Sequence, residues 1–136
     1  MLRSVGAVIA GYAAMAPMTI ALTIAWVQLR VPGGLAAMRE RMKSGDEMPA
    51  PSRAYLAWNL ATGLLAAVAG GWLTGRLAPS APTTHLAWLG GLVLLPGALN
   101  TRSRSARLQS TWYQWAIPLV GAAGVALSAL PVRTGS

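Results

Sequence analysis

Four stretches of this chain, residues 4–29, 54–75, 77–101 and 108–132, contain no Asp, Glu, Lys or Arg, and short basic clusters separate them. A hydrocarbon core of ~30 Å takes about 20 helical residues, so each stretch predicts one membrane-spanning helix. The boundaries fall at about 4–29, 54–77, 84–100 and 111–130. The third stretch is strongly apolar only from Leu86 to Leu99, ~21 Å of helix. A full crossing there must recruit Thr83, Thr84, His85 and Asn100, and a re-entrant segment is the alternative. The first apolar stretch is about twice as long as the 7–15-residue core of a signal peptide, which predicts a retained helix.

Between the first two spans the pattern changes. Pro32, Gly33 and Gly34 break the first helix. Leu35, Met38 and Met42 then fall on one face, with Arg39, Glu40, Arg41 and Lys43 around the rest. That pattern predicts a short amphipathic helix over about 34–44, lying in the headgroup layer, with Gly45 placed to end it. The expected fold is thus an all-α integral membrane protein, one domain over 1–136. It has four transmembrane helices and this interfacial helix between the first and second.

Small residues recur within the spans. Gly6, Ala10 and Ala14 form one row in the first span, and Ala7 and Gly11 form a row beside it. The second span carries Asn59, Gly63, Ala67, Gly71 and Gly75 at intervals of four. Small rows let helix backbones approach closely in lipid, where hydrophobicity gives helices no drive to associate. These five residues are therefore the candidate helix-packing face, and the second span is the candidate spine of the bundle. Pro17 lies mid-span in the first helix and removes the hydrogen bond to the Ala13 carbonyl, which predicts a kink.

Of the 136 residues, 11 are Lys or Arg and 3 are Asp or Glu, a net charge of +8. In a soluble protein that imbalance would point to nucleic acid, but no nucleic-acid-binding motif accompanies it, and the basic residues are better read as topology signals. Four crossings place Arg30, Arg39, Arg41, Lys43, Arg53, Arg102, Arg104 and Arg107 on one side, against Arg3, Arg76 and Arg133 on the other. Eight against three predicts both basic connections in the cytoplasm and both termini outside. Trp26, Trp58, Trp112 and Trp115 then sit near the inner boundary, and Trp72 and Trp88 near the outer one, as amphipathic indoles do at an interface. The Arg- and Ala-rich composition suggests a bacterial source, hence the inner membrane. Arg102, Arg104 and Arg107 are candidates for a lipid headgroup, each attracted by ~1 kcal/mol to an anionic leaflet.

Candidate chemistry is sparse. The chain has no cysteine, which excludes disulfides and thiolate sites. Apart from Arg76 at the end of the second, no span holds a carboxylate, lysine or arginine, and none holds one in its interior to couple an ion gradient. His85 is the single histidine, and as a haem or pigment ligand it would have no second histidine to pair with. The expectation is a non-catalytic protein without cofactor or metal, surrounded by membrane lipids. It packs as an accessory or structural subunit against a larger membrane complex or against itself. The alternative is a small oligomeric transporter or permeation protein, with Tyr12, Asn59 or Thr62 along a path.

Overall fold

The computed structural model describes residues 2–45, 51–100 and 110–130. Those residues form five helices and no strand: α1 Leu2–Arg30, α2 Gly34–Ser44, α3 Arg53–Leu77, α4 Pro82–Asn100 and α5 Thr111–Leu127.

Local chemistry explains the ends. Gly33 (φ 79°) and Gly34 (φ 57°) turn the chain from α1 into α2 in the left-handed region, and a Cβ on Gly34 would also strike the Gln28 carboxamide. Only glycine turns there without a steric penalty. The Ser52 hydroxyl caps α3 by accepting from the Tyr55 amide at 3.1 Å. α4 begins at Pro82, two residues before the expected boundary at 84. Proline suits that first position because its missing N–H would have no helical partner anyway.

Helix α5 begins after Ser110 and stops at Leu127 rather than at Leu130. There the Ser128 hydroxyl donates to the Val125 carbonyl at 2.6 Å, and the Ala129 amide tightens onto Ala126 at 3.1 Å. Pro17 sits inside α1, which is helical on both sides of it. Two residues on, the Thr19 hydroxyl donates to the Met15 carbonyl at 2.9 Å, a back-bond of the kind that bends helices.

Helix α3 touches every other long helix. α1 packs antiparallel along it, α5 runs parallel to it on another face, and α4 lies antiparallel on α5 with lighter contacts to α3 and α1. By length and composition, α1 and α3 are able to cross a membrane. α4 and α5 have 19 and 17 residues and fall short of that standard. Polar Thr83, Thr84 and His85 occupy the first turn of α4, and the Ser128 turn shortens α5.

The interior combines small residues at the helix contacts with a few larger apolar side chains. Val8, Ala67, Leu86, Leu89 and Val125 form its centre, with Met15, Val93 and Ala129 packed around them. Large apolar side chains mostly face out: Ile9, Ile20, Leu65, Trp72, Trp88, Leu95, Leu99, Trp112 and Leu119 are all exposed.

Candidate functional site

The helix-packing surface of α3 divides into two faces. Toward α1, the buried residues are Ala66, Gly70 and Thr74. A Cβ on Gly70 would come within 2.7 Å of the Gly11 carbonyl oxygen, and one on Gly11 within 2.5 Å of the Gly70 carbonyl oxygen. The two backbones are therefore in direct contact. One turn further, the Thr74 hydroxyl donates to the Ala7 carbonyl at 3.2 Å, a buried bond between helices. Toward α5, Ala67 is fully buried, and a Cβ on Gly124 would lie 2.7 Å from the Ala67 Cβ and 2.8 Å from the Leu64 carbonyl. Gly71 meets Ser128 and lies 3.4 Å from the Val125 Cα by the same construction. The small-residue principle extends to α4 and α5, where Gly97 abuts Pro118 and Gly121 abuts Val93.

Within the row expected from spacing, Ala67 and Gly71 lie in the α5 contact. Gly75 is half-buried, and Gly63 has nothing within 4 Å of where its Cβ would be. A row at every fourth residue drifts about 40° per step around the helix, so it cannot stay on one straight contact. The α1 face, Ala66–Gly70–Thr74, lies one residue before Ala67–Gly71–Gly75. The Gly70–Gly71 pair and the Ala7–Gly11 row are the sequence signals that could have identified it.

Asn59 lies at the other end of α3, where its side-chain amide donates to the Tyr113 hydroxyl of α5. Tyr113 is 1% exposed and is the largest fully buried side chain. Beside it, the Trp58 indole donates to the Leu22 carbonyl at 3.2 Å. The Trp58 ring lies 5.3 Å from that of Trp26, and Trp26 meets Tyr55 edge-on at 6.3 Å. The Arg30 guanidinium covers Trp26 at 5.4 Å. At the far end Arg76 covers Trp72 at 5.1 Å in the same way.

His85 is buried in the first turn of α4, with Nδ1 3.1 Å from the Ala81 carbonyl. Among the described residues no three His, Cys, Asp or Glu side chains gather as a metal site. Every buried side-chain nitrogen or oxygen described has a partner. The residues considered for a permeation path do not meet. Tyr12 is 45% exposed on α1 near the Gly11–Gly70 contact, Thr62 is buried, and Asn59 is bound to Tyr113 at the opposite end. Arg102, Arg104 and Arg107 lie outside the described residues.

Between α4 and α5 an open groove of about 360 Å³ is lined by Thr83, Leu86, Ala87, Gly90, Val125 and Ala126, among others. Apart from Thr83 these are apolar, so the groove offers shape rather than chemistry. Comparison with protein-family models, with curated proteins and with solved structures finds no match for this chain.

Proposed function

We propose that this chain is a small, non-catalytic, four-crossing protein of a bacterial inner membrane. It serves as an accessory or structural subunit that packs against a larger membrane complex or against itself. One observation carries the reading: the helix contacts are made mostly by small residues, with Leu86, Leu89 and Tyr113 the large side chains among them, while most large apolar side chains face out. Helices touch through Gly11, Gly70, Gly71, Gly97, Gly121 and Gly124, while Leu, Ile and Trp side chains line the exterior. A water-soluble bundle buries its large apolar side chains, whereas helices in lipid associate through small ones.

Crossing by all four long helices is supported by their arrangement. α4 and α5 run alongside α1 and α3, and Trp88, Leu92, Leu95 and Leu99 form an exposed apolar face along α4. Out of lipid, that face would lie in water. The eight-to-three distribution of basic residues favours a cytoplasmic basic end, with α2 as an interfacial helix there. Room for a partner helix is present at Gly6, Gly63, Gly90 and Gly91, where an added Cβ would meet nothing.

Co-purification from native membranes in a mild detergent tests the proposal. A reproducible set of larger membrane subunits, or a defined homo-oligomer, is expected. A homo-oligomer whose stability depends on a particular solute would contradict the accessory role and favour permeation.

A further inference from the structure

We propose that α2 and the adjoining ends of α1 and α3 form a docking surface for anionic phospholipid headgroups. α2 would lie flat on the leaflet with its methionines toward the acyl chains. The inference rests on the membrane-spanning reading above and deepens it by naming the lipid.

Three observations lead there. The first is depth. Trp26, Trp58 and Tyr55 cluster within a turn or two of the basic ends of α1 and α3, with Arg30 laid over Trp26. An indole cluster under a guanidinium marks the headgroup level. The Gly33–Gly34 turn launches α2 from that level, three residues after Arg30.

The second is the arrangement of α2 itself. Leu35, Met38 and Met42 form its apolar stripe. Leu35 and Met38 are half-buried, and Met42 is 59% exposed. On a helical projection Arg39 and Lys43 flank the stripe on one side and Arg41 on the other, whereas Glu40 lies roughly 165° from its centre. The carboxylate thus sits on the back of the helix, where it forms a solvent-exposed pair with Lys43 at 3.7 Å. A helix with cations beside its apolar stripe and its acid behind suits a negatively charged surface.

The third is net charge. Among the described residues, the basic end carries five cations, Arg30, Arg39, Arg41, Lys43 and Arg53, against one acid, Glu40, leaving +4. The opposite end carries Arg3 and Arg76, with no acid among the described residues.

The absence of cysteine makes the test direct. A polarity-sensitive fluorophore on Met42→Cys, in the full chain reconstituted into vesicles, reports whether the stripe is in lipid. Vesicles with a third of their lipid as phosphatidylglycerol should shift the emission to the blue, and phosphatidylcholine alone should not. High salt should reverse the shift. Arg39→Gln and Arg41→Gln should each lower the docked-to-free ratio about five-fold, and Arg39→Lys with Arg41→Lys should restore it. Emission that ignores phosphatidylglycerol, or survives the double glutamine change, would overturn the inference. A shift produced by soluble polyglutamate but not by lipid would overturn it in favour of an acidic protein partner. An alkaline wash separates the two levels of the argument. A chain washed off the vesicles sinks the membrane-spanning reading, whereas a chain that stays but ignores phosphatidylglycerol sinks only the assignment of α2.

Discussion

The two ends of the bundle are held together by different means. At the end away from the basic cluster, α1, α3 and α5 approach until backbones touch, through Gly11 against Gly70 and through Gly71 and Gly124. At the basic end, Trp26, Tyr55, Trp58 and Tyr113 stand between the same helices. Directional bonds join them there, from the Trp58 indole to Leu22 and from Asn59 to Tyr113. Close backbone contact gains from dispersion over many atoms and tolerates no added volume. One turn beyond Asn59, nothing lies within 4 Å of where a Cβ on Gly63 would be. One helix, α3, thus carries a rigid seam in one half and a polar, aromatic clasp in the other.

Substitutions should separate the two halves sharply. The largest effect is expected at the seam. Gly70→Leu drives a side chain into the Gly11 backbone, and Gly71→Leu drives one toward Val125 and Ser128. Even the overpacking of an ordinary core costs about 1–3 kcal/mol, and backbone on the opposing side cannot move aside like a side chain. Loss of the folded form in detergent, read by thermal unfolding, is expected for both. If either variant unfolds like the parent, the seam is not where the helices meet.

Tyr113→Phe comes next. It leaves the Asn59 amide without its partner, and bonds between membrane helices are worth ~0.6 kcal/mol on average and up to ~1.7 kcal/mol. The clasp should weaken by an amount in that range, measured by the same unfolding assay. A double-mutant cycle with Asn59→Leu should show coupling between the two positions. Additive effects would mean that the bond contributes nothing.

Gly63→Ala should go the other way. Its Cβ enters open space, and alanine is favoured over glycine within a helix by up to ~1 kcal/mol. A small rise in stability is expected, in contrast to the loss from Gly70→Leu seven residues further along the helix. Smallest of all is Leu65→Ile, at a 54% exposed position. It should stay within ~0.5 kcal/mol of the parent, as surface changes away from special features do.

The all-helical character and the places where α1 and α3 lie are legible in the sequence because charges are excluded from long runs. Such a pattern depends on solvent and needs no tertiary information. The finer points depend on neighbours. Spacing selects Ala67 and Gly71, but it cannot show that Gly63 faces open space, because the row drifts around the helix by about 40° per step. The Gly70–Thr74 face is fixed by Gly11 and Ala7 lying opposite it, a pairing between helices that spacing along one helix does not give. For His85, the sequence shows only the single histidine, and the structure buries it with Nδ1 beside the Ala81 carbonyl. That placement follows from α4 starting at Pro82, which turns His85 inward with Leu86 and Leu89.

On the membrane-spanning proposal, whether α4 and α5 cross with α1 and α3 decides between a four-helix membrane bundle and a two-helix anchor. The most direct measurement is labelling of single cysteines at Ser80, between α3 and α4, and at Ser110, before α5, with an impermeant thiol reagent in intact cells. Four crossings with a cytoplasmic basic end predict that Ser80→Cys is labelled from outside and Ser110→Cys only after the membrane is opened. Equal labelling of the two from the same side would show that α4 does not cross, and would contradict the four-crossing bundle.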